Sequence, residues 1–275
     1  MQVNIKKIRC TGSLKEWFYV IPIGDTHIGN LGFDEQKLRK LVAWIAKKKN
    51  VFWIGMGDFC ECINYTDKRF DPQQVPEWLR DKLDNMISSQ VAKFVEILEP
   101  IKDKCLGLHE GNHDRKIRIA NQYDVVYEIW RAFNIPEIPL LKDAAITRLQ
   151  FNTRYNSKKS PSYTFDIFST HGNTGGRLGG AKLNRLEQII GFFDADIYLM
   201  AHSHIKLTES KMLLYIDNNM NLKYKKKILA VTGCFLNGYT QGSTSYVEKM
   251  MLPPTCTGVV KIMINPRKGD IHISE

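Results

Sequence analysis

The sequence predicts a mixed α/β fold in which helices cover the outer faces of the β-sheets. Apolar runs at 16–23, 51–56 and 104–108 predict buried strands, and each run is followed closely by a Gly-Asp or Gly-Asn pair. Between them, 34–48 carries apolar residues at helical spacing, and 75–99 predicts one long helix. Strands that alternate with helices in this way favour parallel pairing through crossover connections.

The second half of the chain predicts mainly strands. Helices are expected there at 123–133 and 181–192, and Asp217-Asn218-Asn219 fits the turn of a hairpin. The expected strands are 145–151, 163–169, 196–200, 212–216, 226–232, 257–264 and 270–274. No segment is typical of a linker, so we expect a single domain over 1–275.

The composition of the 275 residues is that of an ordinary globular protein, with 43% hydrophobic and 25% charged residues. The sequence has no run of about 18 apolar residues, the minimum for a membrane-spanning helix, and its first residues do not form an export signal. Its six cysteines are scattered and include no CxxC pair. We therefore expect reduced thiols, a cytoplasmic location and no membrane partner.

The charge balance favours an anionic partner. Lysine and arginine number 39 against 29 acidic residues, which gives a net charge of +10. Such an excess is typical of proteins that bind nucleic acid or phosphorylated small molecules, although it also aids solubility alone. Basic runs at 47–49, 158–159 and 225–227 are candidate contacts, and the alternative for each run is a solvated surface.

Five polar clusters each follow a predicted strand, and they hold five of the seven histidines. Any one of them alone is more often a turn or a cap than a site. Loops at the carboxyl ends of strands converge in open α/β sheets, so together the clusters predict one site. They are Gly24-Asp25-Thr26-His27, Gly57-Asp58, Gly111-Asn112-His113-Asp114, Thr170-His171-Gly172 and Ala201-His202-Ser203-His204.

The residue types in these clusters predict a metal site. Carboxylate, amide and imidazole groups suit manganese, iron, zinc or nickel. Six or seven such ligands are too many for one ion that keeps an open position, and they suit a pair of ions that share a carboxylate. We expect two divalent ions, with manganese the first choice.

In this order the clusters resemble the calcineurin-like metallophosphoesterase superfamily. Its pattern is D-x-H, then G-D, then G-N-H-D or G-N-H-E, then a histidine, then G-H-x-H, and the chain matches it over 25–204. Ala201 stands where glycine is usual. The resemblance implies two stacked mixed β-sheets flanked by helices, the sandwich of that superfamily.

The resemblance also implies a role for each matching residue. His113 corresponds to the catalytic histidine, and Asp114 is expected to orient its ring. Glu61 is expected to be a local hydrogen-bond acceptor rather than a ligand. The implied ligand sets are Asp25, His27, His204 and Asp58 for the first ion, and Asp58, Asn112, His171 and His202 for the second.

The expected activity is hydrolysis of a phosphate ester by water activated between two ions. The form Asp25-Thr26-His27-Ile28-Gly29 is similar to the DNA-repair exonucleases of the superfamily, which favours a nuclease. The alternative is a phosphodiesterase or phosphatase acting on a nucleotide or another small phosphate ester. A non-catalytic scaffold is a remote alternative, because every implied ligand and His113 are present.

A glycine-rich segment follows His171 and opens a predicted helix. It carries Arg177, Lys182 and Arg185. Exposed amides at the start of a helix bind anions, so the segment is a candidate phosphate-binding site. The alternative is a merely flexible loop.

Overall fold

The computed structural model describes residues 1–153, 162–173, 179–241 and 245–274. Strands and helices each take their numbers in chain order. The strands are β1 Gln2–Cys10, β2 Phe18–Ile23, β3 Val51–Gly55, β4 Cys105–His109, β5 Leu140–Lys142, β6 Ala144–Thr153, β7 Ser162–Thr170, β8 Ile197–Met200, β9 Lys206–Ile216, β10 Leu222–Cys234, β11 Gly258–Val259, β12 Lys261–Asn265 and β13 Asp270–Ser274. The helices are α1 Glu35–Ala46, α2 Glu77–Arg80, α3 Met86–Leu98, α4 Asn112–Asn121, α5 Val125–Phe133, α6 Gly179–Ile190 and α7 Tyr246–Lys249.

The strands form two mixed sheets, as the resemblance implies. Among the described residues, one sheet has the order β1-β6-β7-β8-β10-β11, with β9 paired to β10, and the other has the order β13-β12-β2-β3-β4-β5. The strands β2 to β5 run parallel, and β7, β8 and β10 also run parallel to one another. The loops that follow these strands therefore leave each sheet at one edge.

The core lies between the two sheets and under the helices. Val20 and Ile54 of one sheet pack in the same buried cluster as Ile197 and Ile228 of the other. Trp53, which points to the opposite side of its strand, packs in a cluster with residues of α1, α3 and α5. Strands that are buried on both faces read as continuous apolar runs, which is why the sequence reveals them so clearly.

The prediction of one long helix over 75–99 is wrong. The structure instead has two helices, α2 and α3. One short 3-10 turn precedes α2, and another separates α2 from α3. Val75, Leu79 and Met86 pack together with Phe70 and Trp78 in a small separate cluster. The segment folds back on its own apolar residues, so one straight helix cannot form.

The other predicted elements are present with shifted ends, and the structure adds β1, β5, α4 and α7. The strand β1 is not expected, because most of its residues are exposed and it is rich in lysine. The hairpin turn at Asp217 is confirmed, since its carboxylate accepts hydrogen bonds from Asn219 N and Asn221 N, both at 2.9 Å. No helix among the described residues is long and apolar enough to cross a membrane. All six cysteines are free thiols.

Candidate metal centre

The predicted ligand loops meet at one end of the two sheets. The loops after β2 and β3 are joined by backbone hydrogen bonds, from Asp25 N to Gly57 O at 2.9 Å and from Thr26 N to Asp58 O at 3.0 Å. The loops after β4, β7 and β8 reach the same place, where their side chains contact one another. The side chains brought together are Asp25, His27, Asp58, Asn112, His171, His202 and His204.

The first group combines Asp25, His27 and His204, whose ligand atoms lie within 4.8 Å of one another. The Nε2 atoms of the two histidines are 3.1 Å apart, and Asp25 Oδ1 lies 3.4 Å from His204 Nε2. Asp25 is fully buried, and this oxygen has no hydrogen-bond partner among the described residues. A carboxylate oxygen buried without a donor is costly unless a cation compensates it, so the group fits a metal ion.

The second group combines Asp58, His171 and His202, with the Asn112 amide beside them. His171 Nε2 lies 3.3 Å from Asp58 Oδ2 and 3.0 Å from Asn112 Oδ1. His202 Nδ1 approaches the same amide oxygen at 2.8 Å. His171 Nδ1 donates to Met56 O at 2.8 Å, which leaves Nε2 as the nitrogen that could bind a metal ion.

The two groups touch through their carboxylates. Asp25 Oδ2 accepts a hydrogen bond from His202 N at 2.9 Å, so the first group contacts the second. Asp58 Oδ1 accepts from His113 N at 2.8 Å, while its Oδ2 faces His171. The structure thus groups the side chains as the resemblance implies, and the sharing of Asp58 between two ions stays a prediction.

Five of these residues adopt left-handed backbone conformations that residues other than glycine rarely take. The φ angles are 46° for Asp25, 47° for His27, 51° for Asp58, 68° for His202 and 55° for His204. Such conformations cost free energy and persist where the surrounding structure enforces them, often at functional sites. Their concentration on one set of side chains is an independent sign that this cluster has a function.

Opposite charges balance one another inside the cluster. Burial alone would raise the pKa of Asp58, but His171, His113 and His27 hold it well below its usual value. Burial alone would lower the pKa of His171, but Asp58 and Asp25 raise it to about 10. The carboxylates therefore need positive charge beside them. A metal ion held by these residues would supply that charge in place of the imidazole proton.

Asp114 does not have the role that the resemblance implies. Its Oδ2 accepts from Asp58 N at 2.9 Å and from Gly111 N at 3.0 Å. The ring of His113 donates instead from Nδ1 to the backbone oxygen of Glu61 at 2.6 Å. The expectation that Asp114 orients this ring is wrong, because adjacent residues of a helix do not face each other. Asp114 fixes the backbone of two ligand loops.

Glu61 contacts two histidines of the site, and only the folded loop shows this. Its Oε2 lies 2.9 Å from His27 Nδ1, and its backbone oxygen accepts from His113. Burial alone would raise the pKa of its carboxyl, but His27 holds that pKa below its usual value. Glu61 is a hydrogen-bond acceptor and fixes the ring of His27 so that Nε2 faces the first group. Its carboxylate also forms a third group with His27 and His113, whose ligand atoms lie within 4.8 Å of one another, so the expectation that Glu61 is not a ligand stays a prediction.

Replacing Glu61 by alanine is expected to weaken the binding of manganese about 10- to 100-fold, the usual effect of losing a partner behind a metal ligand. Glu61→Gln keeps an acceptor for His27 Nδ1 and should weaken binding less. Glu77→Ala, on an exposed position of α2, is the matched control. Metal titration followed by calorimetry measures the effect, and unchanged affinity in Glu61→Ala would show that the contact does not support the ligand.

Sequence reasoning also misses a cation beside the site. Arg69 bonds the Asp67 carboxylate through Nε at 3.2 Å and Nη2 at 2.9 Å, and Lys116 Nζ donates to the same carboxylate at 2.6 Å. The charge of Arg69 interacts with Glu61 and Asp58. Its side chain is 35% exposed. A guanidinium held in this way can bind a phosphate oxygen.

The glycine-rich segment is described only in part. Arg177 lies outside the described residues. Lys182 is buried, and its Nζ donates to the backbone oxygen of Ser203 at 3.3 Å, between the ligands His202 and His204. Burial lowers the pKa of this lysine. Arg185 follows on the next turn and is exposed. A contact of these cations with substrate stays a prediction.

Two basic runs lie away from the site. Residues 47–49 directly precede β3, and 225–227 lie before the part of β10 that pairs with β8, so both runs are at the amino ends of the parallel strands. Lys225 pairs with Asp196 at 3.0 Å, and the buried Lys227 pairs with Asp194. These lysines support the fold or face solvent, at the end of the strands opposite the candidate metal centre. The run at 158–159 lies outside the described residues.

No protein-family model and no curated protein sequence matches the chain. Solved structures similar to it include Vps29 from Chaetomium thermophilum, with 12% identity, a TM-score of 0.38 and coverage of 94% of this chain and 93% of that one. A predicted phosphoesterase from Streptococcus pneumoniae has 13% identity, a TM-score of 0.32 and coverage of 94% of each chain. A metallophosphoesterase from Sphaerobacter thermophilus has 10% identity, a TM-score of 0.36 and coverage of 94% and 89%. At these values the likenesses carry no conclusion about activity.

Proposed function

We propose that the chain is a metal-dependent phosphoesterase that hydrolyses phosphodiester bonds with two divalent ions. The observation that carries the proposal is the pair of ligand groups, Asp25 with His27 and His204, and Asp58 with His171 and His202, in contact with each other. Paired ions of this kind are typical of phosphoester hydrolysis. The donors suit manganese, iron, zinc or nickel, and we propose manganese.

When bound, the ions would supply an activated water and polarise the phosphoryl oxygens. The protein's own contribution begins with His113. Its Nδ1 donates to Glu61, which leaves Nε2 as the nitrogen that can give a proton to the leaving oxygen. Burial alone would lower the pKa of His113, but Asp58 and Glu61 raise it, which favours the protonated ring. Arg69, whose charge interacts with Glu61 and Asp58, is proposed to bind a phosphate oxygen, and the proposed chemistry needs no covalent nucleophile.

For the substrate, the proposal is a phosphodiester of nucleic acid. The net charge of +10 supports it, as do the cations Arg69 and Lys116 on the Asp67 carboxylate; Arg185 on α6 is proposed as a further contact. A second candidate is a nucleotide or another small phosphodiester. It is favoured by the position of residues 47–49 and 225–227. These lysines lie at the amino ends of the parallel strands, away from the candidate site, and cannot contact a nucleic-acid strand bound there.

Salt dependence separates the two substrates. Binding of single-stranded DNA to the His113→Ala protein is expected to fall with a log–log slope steeper than about −3, since each phosphate contact contributes about −0.7 to −0.9. Replacing Arg185 by alanine should make the slope shallower by about 1. Lys49→Ala, at the opposite edge, should leave it unchanged. No DNA binding at low salt, beside rapid cleavage of a cyclic or small nucleotide, would favour the second candidate.

A further inference from the structure

The strands β9 and β10 continue beyond the sheet as a two-stranded ribbon, residues 212–226, which we call the β9–β10 ribbon. Its pairing runs from Met212 with Lys226 to Ile216 with Leu222. The strand β10 pairs with β8 only from Ile228 onward. Among the described residues, no third strand pairs with the ribbon. A lone two-stranded ribbon is marginally stable in water, so its length calls for an explanation.

One face of the ribbon is apolar and open to solvent. The register places Met212, Leu214 and Ile216 on the same face as Leu222 and Tyr224. These side chains are 57%, 59%, 61%, 59% and 66% exposed, in that order. Single exposed apolar residues are ordinary, but a contiguous patch of this kind on a soluble protein marks an interaction surface.

Most of the charge on the ribbon lies on the face opposite the apolar one. Lys223 and Lys225 stand opposite Tyr215 and Leu213, on the other face. Lys226 shares the apolar face, but its Nζ donates to the backbone oxygen of Ile271 at 3.0 Å. A partner must therefore offer an apolar surface of similar length.

We propose that the apolar face of the β9–β10 ribbon binds the same face of a second copy of this chain, forming a two-fold dimer. In a two-fold dimer the same surface of each copy forms the interface, so each apolar face is covered by the other and no different partner is needed. Two copies of a chain with a net charge of +10 repel each other, and this repulsion is least through a face whose one lysine, Lys226, is bonded to Ile271 O. The exposed side chains, with Met220 at the turn, offer roughly 600–700 Å² per copy, close to the roughly 800 Å² of a standard interface.

The dimer leaves the candidate metal centre open. The ribbon extends from the amino end of β10, whereas the ligand loops follow the carboxyl ends of β7 and β8, which run parallel to β10. The two ribbons meet at the end of the sheet opposite the site. Dimerisation and phosphoester hydrolysis can therefore be tested separately.

The test is the molar mass in solution by light scattering after size exclusion, with Leu214→Glu on the apolar face and Tyr215→Glu on the opposite face as its matched control. Wild type and Tyr215→Glu should be dimers at about 10 µM. Leu214→Glu should be a monomer, with its dissociation constant raised at least 100-fold, because a buried charge at the centre of an apolar interface is costly. Hydrolysis of bis-p-nitrophenyl phosphate should be the same in all three proteins.

Two outcomes overturn the proposal. A wild-type monomer at 100 µM excludes the second copy, and binding of that monomer to lipid vesicles would assign the face to a membrane surface instead. Equal loss of the dimer in both variants places the contact elsewhere than on the apolar face. Leu214→Ile should keep the dimer, which distinguishes loss of the contact from loss of the ribbon.

Discussion

Replacing Asp58 by alanine is expected to abolish phosphoester hydrolysis and to remove at least one of two bound metal ions. The change deletes the carboxylate that faces His171 and that accepts the backbone hydrogen bond of His113. Metal ions supply several kcal/mol of transition-state stabilisation, and a loss of about 4 kcal/mol lowers the rate roughly 10³-fold. Asn112→Ala should act in the same direction, because its amide oxygen contacts His171 and His202.

The matched control is Asp270→Ala, which removes an exposed aspartate from β13, at the far edge of the second sheet. It should keep full turnover of bis-p-nitrophenyl phosphate and the full metal content by elemental analysis. Circular dichroism checks that both variants are folded. Near-normal turnover in a folded Asp58→Ala protein would show that this carboxylate is not a ligand.

Replacing His113 by alanine is expected to lower turnover about 10²- to 10⁴-fold while both metal ions remain bound. A general acid usually contributes that much. The His113 ring packs against that of His27 with centroids 4.7 Å apart, and its Nδ1 is already bonded to Glu61. The ring therefore lies beside the ligand groups without belonging to either implied set.

His272→Ala is the control for this variant, since His272 is an exposed histidine on β13. It should leave both the rate and the metal content unchanged. The pH profile adds a second readout, because loss of the acid should remove the fall in rate at high pH. Loss of one ion from His113→Ala would instead identify His113 as a ligand.

The sequence predicts those parts of the fold that are buried. The strands β2, β3 and β4 lie between a second sheet and a layer of helices, so their apolar runs are continuous and visible. The ribbon part of β9 is expected as a strand at 212–216, but its exposure is not, because its residues are as apolar as those of a core strand. The packing of Val75, Leu79 and Met86 with one another depends on tertiary contacts, so the break between α2 and α3 is not visible either.

The candidate site is likewise only partly visible in the sequence. Its implied ligands directly follow strands, and strand ends meet in any sheet of this kind. Glu61 and Arg69 lie in a loop without periodic pattern, and their contacts depend on how that loop folds over His27 and Asp67. Asp114 looks like a partner of its neighbour in the sequence, but α4 turns the two side chains in different directions.

Metal content is the most direct test of the central claim that the two ligand groups hold a pair of ions. The purified chain is stripped of metal, loaded with manganese and desalted. Elemental analysis then gives the number of manganese ions per chain, and electron paramagnetic resonance shows whether the ions are coupled. We expect two ions per chain and a spin-coupled spectrum, as for ions about 3.5–4 Å apart. Fewer than one ion per chain, or two ions without coupling, would contradict the paired site.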